Sequence, residues 1–117
     1  MAKSILFHDH LDYHPLFERA KELDADVSFN AEASSAEEAM GGKVPDIYVM
    51  GWTNSGYVMD IGPMVRDAQE LRRAHPGIVI IARQYGAHHE YFKDTCNELV
   101  SRTDDPNPLL DAIRKYL

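Results

Sequence analysis

Strand-like and helix-like segments alternate along the whole chain, five of each. The strand-like segments are short runs rich in apolar residues, and they lie at 4–8, 25–30, 46–50, 77–82 and 98–101. The helix-like segments carry apolar residues at helical spacing, and they lie at 14–23, 34–40, 62–75, 87–96 and 107–117. Strands joined by helices pair in parallel, because the crossover returns the chain to the same edge of the sheet. The alternation therefore predicts an α/β domain with helices on both faces of a parallel sheet.

The length of 117 residues fits one domain and leaves little room for a second. Five strand–helix units of this size are typical of the flavodoxin-like doubly wound fold, a three-layer sandwich with a five-stranded parallel sheet of order 2-1-3-4-5. We expect 77–82, the most β-branched run, to be the fully buried central strand. Function in such sheets lies at the carboxyl ends of the strands beside the switch in strand order. The expected site therefore combines 8–10, 51–53 and 82–84.

The charge balance excludes one class of partner. There are 19 Asp and Glu against 12 Lys and Arg, for a formal net charge of -7. A nucleic-acid partner is disfavoured, because phosphate binding uses clustered Lys and Arg side chains. The densest basic cluster, LRRAH at 71–75, is interpreted as a solvated helix face.

Localisation follows from what the sequence does not contain. No apolar stretch approaches the ~20 residues of a membrane span, and the N-terminus lacks the apolar core of a signal peptide. The single cysteine, Cys96, fits a reducing compartment and is expected to be a small buried hydrophobe. We therefore expect a cytoplasmic protein without a membrane partner.

Five stretches resemble, in order, the parts of a response-regulator receiver domain. KSILFHDH at 3–10 resembles the first strand of that family, which ends in a pair of acids, and PDIYVMGWTNSG at 45–56 resembles its third strand and phosphorylation loop. EASSAEEAM at 32–40 resembles the start of its second helix. LRRAHPGIVIIA at 71–82 and LVSRTDDPNPLLDAIRKYL at 99–117 resemble the later strands with their helices. The resemblance implies that residues 1–117 form a single receiver-like domain.

The acids that carry the chemistry of that family are mostly replaced here. Gly51 stands where the family has the aspartate that accepts a phosphoryl group, and glycine has no side chain to accept it or to bind a metal. Asp9 matches the first acid of the family's Mg²⁺ pair, whereas His10 replaces the second. Because Mg²⁺ is held by several oxygen ligands, one remaining carboxylate makes a poor site.

Two further positions of the family's pocket are altered as well. The hydroxyl residue that ends the fourth strand is replaced by Ile81, Ala82 or Arg83, depending on register. The lysine that ends the fifth strand falls on Ser101 or Arg102. The resemblance thus implies a pseudo-receiver that works without phosphorylation, cofactor or enzymatic activity. Its degenerate pocket would consist of Asp9, His10, Gly51, Trp52, Arg83 and Ser101.

The resemblance also implies action through protein–protein contact in two-component signalling. In that family the face built from the fourth helix, the fifth strand and the last helix commonly binds partners or a second copy. We therefore expect partner contacts at Tyr91, Phe92 and Tyr116, and a homodimer is compatible with them. Trp52 and Tyr57 form a second candidate surface, since exposed aromatic side chains often anchor partners.

Histidines near the end of the first strand support an alternative class of function. His8 and His10 flank Asp9, and two more histidines lie at 88–89. Such a cluster could bind a metal such as Zn²⁺ or titrate near neutral pH, as in a ligand-binding, metal-binding or pH-sensing protein. The spacing matches no closed zinc motif, so scattered histidines are the simpler interpretation. A third alternative is phosphorylation at a displaced acceptor, Asp9 or Asp60.

Overall fold

The five strands form one parallel sheet in the order β2-β1-β3-β4-β5. This computed structural model describes residues 2–9, 14–51, 61–103 and 105–117, without the side chains of residues 14 and 17. The sheet order and the parallel pairing confirm the predicted flavodoxin-like α/β fold. The strands are β1 (Lys3–His8), β2 (Ala25–Asn30), β3 (Ile47–Met50), β4 (Val79–Gln84) and β5 (Glu98–Ser101).

Three α-helices and one 3-10 helix of the described residues connect the strands, and a fourth α-helix follows β5. They are α1 (His14–Ala20), α2 (Ala36–Met40), α3 (Ile61–Ala74), the 3-10 helix (Gly86–Tyr91) and α4 (Asn107–Arg114). The described part of the chain contains no helix long and apolar enough to cross a bilayer.

The core consists of two apolar clusters, one on each face of the sheet, because successive strand residues point to opposite faces. One cluster joins strand residues to α1 and α4, and its members include Ile5, Phe7, Val49, Ile81, Leu16, Leu110 and Ile113. The other joins strand residues to α2 and α3, and its members include Leu6, Tyr48, Ile80, Ala36, Met64, Ala68 and Leu71. Helices therefore cover both faces, and the carboxyl edge of the sheet is left for the site.

Helix α2 is short because signals at both of its ends define it. The Ser35 side chain accepts a hydrogen bond from the backbone N–H of Glu38 at 3.1 Å, which caps the start of the helix. Gly41 ends it with φ 57, a left-handed conformation that glycine adopts without steric cost. The Glu38 carboxylate in turn accepts a hydrogen bond at 3.0 Å from the N–H of Ser34, the residue before the N-cap.

Two predictions differ from the structure in kind, β4 begins and ends two residues later than predicted, and α1 and α4 each end three residues earlier. The central strand of the sheet is β3, all of which is buried, whereas β4 lies beside it and begins with the half-buried Val79. The helix predicted at 87–96 is a 3-10 helix over Gly86–Tyr91. Its sequence is rich in His, Tyr, Phe, Asp and Thr, which favour α-helix weakly, and Tyr85 at its start provides no capping side-chain bond.

Arg72 joins α3 to the chain segments on either side of β4. Its guanidinium donates hydrogen bonds to the backbone oxygens of Thr95 (3.1 Å), Pro76 (2.9 Å) and Ile78 (2.6 Å). It also donates to the side-chain oxygen of Asn97, which in turn accepts from the β4 backbone. The interpretation of 71–75 as a solvated face is therefore wrong for this arginine, which holds backbone groups together.

Candidate functional site

The pairing register brings three residues together at the carboxyl edge of the sheet. His8 of β1 pairs with Met50 of β3, and Met50 pairs with Ala82 of β4. The pairing continues one step further, because the Gly51 N–H donates to the His8 carbonyl at 2.9 Å. The residues that follow His8, Met50 and Ala82 are Asp9, Gly51 and Arg83, and these three are therefore neighbours. Arg83 thus takes the place in the pocket that the sequence left open among three residues.

Asp9 is a buried carboxylate held by two arginines. Only 4% of its side chain is exposed. Arg83, whose side chain is 6% exposed, places Nη1 2.6 Å from Asp9 Oδ2. Arg102, which follows β5, donates from Nη2 to Oδ1 at 2.7 Å and from Nη1 to Oδ2 at 2.9 Å. This two-pronged contact matches the planar guanidinium to the planar carboxylate, which is the strongest geometry for such a pair.

Gly51 is a glycine because the Asp9 carboxyl group occupies the space beside it. A Cβ placed on Gly51 would overlap Asp9 Cγ and both carboxylate oxygens, far inside the 3.0 Å that real Cβ contacts keep. The positive-φ glycines of the described residues are Gly41 and Gly42, so backbone conformation does not explain Gly51. The space that would receive a side chain at position 51 is thus filled by a side chain from position 9.

The described residues of this pocket do not fit a Mg²⁺ site. Both oxygens of Asp9 accept hydrogen bonds from guanidinium groups. One carboxylate and two arginines carry a formal charge of +1 together, which repels a divalent cation. Among the described residues no group of three His, Cys, Asp or Glu side chains could hold a metal ion. We refer to Asp9, Arg83 and Arg102 as the ion triad.

His8 lies in the core and not at the rim of the sheet. Its Nε2–H donates to the Ala33 carbonyl at 2.8 Å, and its Nδ1 accepts from the Tyr48 hydroxyl. Burial lowers the pKa of His8, while the hydrogen bond to Ala33 and nearby carboxylates oppose that shift. The predicted metal-binding or pH-sensing rim of His8, Asp9 and His10 is not supported here, since both His8 nitrogens and both Asp9 oxygens have protein partners.

The other predicted site residues differ in how far they are exposed. Ser101 is exposed at the end of β5, and Arg102 enters the pocket in its place. Phe92 is fully buried in the apolar cluster against α3, so its prediction as a surface contact is wrong. Tyr91 is 55% exposed, as a partner-binding residue would be. Tyr116 is half-buried and donates to Glu98 Oε2 at 3.0 Å.

Four predicted residues, His10, Trp52, Tyr57 and Asp60, lie outside the described residues.

One position was left open by the sequence, and one feature was missed. The sequence allowed Ser101 or Arg102 at the position of the family's lysine and the predicted pocket included Ser101, whereas Arg102 is the residue that contacts Asp9. The surface beside the 3-10 helix carries Tyr85, which is 53% exposed and lies edge-on to His88 at a centroid distance of 6.2 Å. Its signal was an aromatic residue directly after a strand, at the edge where functional residues gather.

Comparison with known proteins shows a shared fold at low sequence identity. No family model matches the chain, and no curated protein matches it significantly. NtrX from Brucella abortus matches with a TM-score of 0.75 and 15% identity over 100% of this chain, which spans only 27% of NtrX. The receiver domain of NtrX alone matches with a TM-score of 0.74 and 12% identity, covering 97% of each chain.

A third structure gives a full-length match. The response regulator protein TrrA from Thermotoga maritima, solved in complex with Mg²⁺-BeF, has a TM-score of 0.72 and 18% identity. The match covers 98% of this chain and 99% of TrrA. The chain therefore has the fold of response-regulator receiver domains, and at these identities the similarity concerns the fold alone.

Proposed function

We propose that this chain is a receiver-like signalling domain that works without phosphorylation and acts through protein–protein contact. The observation that carries the proposal is the position of the Asp9 carboxylate in the space beside Gly51. The shared fold with receiver domains supports the signalling class.

Phosphoryl transfer to a carboxylate needs an accessible oxygen and positive charge that can be rearranged around the incoming group. Gly51 offers no oxygen. Asp9 is nearly inaccessible, and its two oxygens already bind Arg83 and Arg102. A displaced acceptor at Asp9 would first have to break these ion pairs inside the protein, where an unpaired charge is strongly unfavourable.

The ion triad fills the pocket with charged groups that already contact one another. In a domain that responds to phosphorylation, the added charge shifts an equilibrium between two conformations. Here the carboxylate and the guanidiniums are linked from the outset, and Arg83 also donates to the Thr103 carbonyl at 3.4 Å in the segment after β5. The pocket is thus tied to the start of the β5–α4 connection without any added group. We infer a constitutive, non-enzymatic domain.

The output surface we propose is the exposed aromatic face around Tyr85 and Tyr91. His88 lies between them, with ring centroids at 6.2 Å and 6.4 Å. Tyrosines are rigid amphipathic anchors that are frequent in protein interfaces. Tyr116, Trp52 and Tyr57 remain further candidates for partner contacts, and a homodimer through this face is part of the proposal, as is a cytoplasmic location.

Amide NMR spectra test the pocket directly. Spectra are recorded with and without Mg²⁺ plus beryllofluoride, the stable analogue of an aspartyl phosphate, and TrrA serves as the positive control. We expect no shift of the Asp9, Gly51, Ala82 and Arg102 amides beyond that caused by MgCl₂ alone. Shifts confined to these amides would contradict the proposal.

Mass spectrometry after acetyl phosphate treatment tests Asp9 and Asp60 as acceptors. A mass gain of one phosphoryl group would contradict the proposal that the domain works without phosphorylation.

Sedimentation velocity tests the homodimer. If two copies associate through the aromatic face, Tyr91→Ser should shift the distribution toward monomer, whereas Lys21→Ser, an exposed change on α1's flank, should not. If the wild-type protein is monomeric at every concentration, the homodimer is excluded. The proposed contact would then be with a different protein.

A further inference from the structure

A groove lies between α2 and α3 and shares no residue with the ion triad. Its volume is about 340 Å³, at the lower end of the roughly 300–1,000 Å³ of ligand-binding pockets. The floor is apolar and contains Ala36, Met40 and Leu71. The rim carries the carboxylates of Glu37, Asp67 and Glu70.

The groove exists because its two helices differ in length. α2 has 5 residues and α3 has 14, which correspond to lengths of roughly 8 and 21 Å. Gly41 stops α2 before it can cover the remaining part of α3. Met40 at the end of the short helix is thereby left half-buried, whereas Ala36 and Leu71 of the same groove are buried.

The groove is lined by three carboxylates and by His75, which directly follows α3. Neither a lysine nor an arginine of the described residues lines it, although Arg66 and Arg73 lie on the same helix α3. Asp67 is held in place, because its Oδ2 accepts the Ala36 N–H at 2.8 Å. Glu37 and Glu70 are exposed. A net charge of -7 for the chain adds long-range attraction for cations.

We propose that this groove docks a cationic segment of a partner protein. An arginine or lysine of the segment would lie against Glu37 and Glu70, and its alkyl stem or a neighbouring apolar side chain would contact Met40. Long basic side chains combine an apolar stem with a charged end, and methionine adapts its shape to different partners. The inference rests on the proposed function, protein–protein contact, and supplies the chemistry of a partner.

A short probe peptide tests the chemistry of the occupant. The probe is alanine–arginine–leucine–arginine–alanine with blocked ends, and its match carries citrulline, the neutral isostere, in place of both arginines. We expect millimolar binding of the arginine peptide to shift the amides of Ala36, Met40 and Leu71. The citrulline peptide should shift them much less, and added salt should weaken the arginine peptide.

Two charge variants locate the contact. Glu70→Gln in the groove should weaken binding about three- to fivefold, the range of an exposed charge pair, and Glu90→Gln, an equal charge change on the exposed 3-10 helix, should leave it unchanged. The inference is overturned if the groove amides do not shift, if citrulline binds equally well, or if both variants weaken binding alike. Phosphorylation independence is measured at Asp9 and Gly51, so the two proposals fail separately.

Discussion

The carboxyl group of Asp9 lies where the first side-chain atom of a residue at position 51 would have to lie. Gly51 and Asp9 therefore depend on each other. Gly51, directly after β3, has no side chain, and this leaves room for the buried carboxyl group of Asp9, directly after β1. The acid is stable there because Arg83 and Arg102 reach it from β4 and β5. A pocket that could be regarded as merely degenerate is instead filled by Asp9 and its two arginines.

Adding a single methyl group at position 51 should therefore destabilise the protein. We expect Gly51→Ala to lower the free energy of unfolding by about 2–4 kcal/mol, since the new Cβ must displace Asp9 from its arginines. Gly77→Ala is the matched control, because a Cβ there meets nothing within 4 Å, and its change should stay within about 1 kcal/mol. Urea denaturation measures both. Equal effects of the two variants would show that Asp9 does not fill this space.

Removing the charge of Asp9 should be far more harmful than removing that of a surface acid. Asp9→Asn keeps the shape of the side chain and leaves two largely buried arginines without a counterion, so we expect a loss of about 3–5 kcal/mol. Asp111→Asn breaks an exposed pair with Arg114 and should change stability by at most about 1 kcal/mol. Urea midpoints at neutral pH give the comparison, and a loss below about 1 kcal/mol for Asp9→Asn would contradict the ion triad.

The buried His8 should make stability fall as the pH falls. Burial lowers its native pKa below the unfolded value, which is about 6.5. Between these two values the unfolded chain binds a proton that the native protein does not, so acid favours unfolding. The effect is absent above about pH 7 and grows below 6.5, by at most ~1.4 kcal/mol per pH unit. His8→Gln removes this titrating group. The difference in the free energy of unfolding between this variant and the wild type should therefore change with pH.

The measurement for His8 is the free energy of unfolding of both proteins at pH 5.5, 6.5 and 7.5. The wild type should lose more stability than His8→Gln on going from pH 7.5 to 5.5, while other groups cancel in the difference. Parallel curves for wild type and His8→Gln would mean that His8 titrates normally in the native state.

Arg72 should contribute more to stability than its neighbour on α3. Arg72→Met removes hydrogen bonds to three backbone oxygens and to Asn97, and we expect a loss of about 2–4 kcal/mol. Arg73→Met changes the same residue type at an exposed position and should stay within about 0.5 kcal/mol. Thermal unfolding followed by circular dichroism compares them. Similar transitions for both variants would show that the Arg72 contacts do not contribute net stability.

Cys96 should be unreactive in the native protein. Burial raises the pKa of its thiol to about 12, against a weaker opposing effect of Arg72. A shift from 9.0 to about 12 leaves about a thousandfold less thiolate, the reactive form. Labelling with an aromatic disulfide should therefore be at least about a hundredfold slower for native protein than for protein in denaturing urea. Rates within about tenfold of each other would contradict the raised pKa of this half-buried thiol.

Local sequence patterns alone determined most of the fold. The period of apolar residues distinguishes strands from helices, and parallel strands joined by helices restrict the topology to few arrangements. The boundaries of β2 and β5 agree with the sequence-based expectation, because these signals are carried by neighbouring residues. The sequence alone also shows that position 51 has no side chain that could accept a phosphoryl group.

The partners of Asp9 were decided only by the tertiary structure. Arg83 is 74 residues from Asp9 in sequence, and Arg102 is 93 residues away. Whether a long side chain reaches a given carboxylate depends on strand register and on the space left by Gly51, which no local pattern encodes. The same holds for His8, whose burial depends on contacts with Tyr48 and Ala33. Local chemistry thus set the strands and helices, whereas long-range packing set which charges meet.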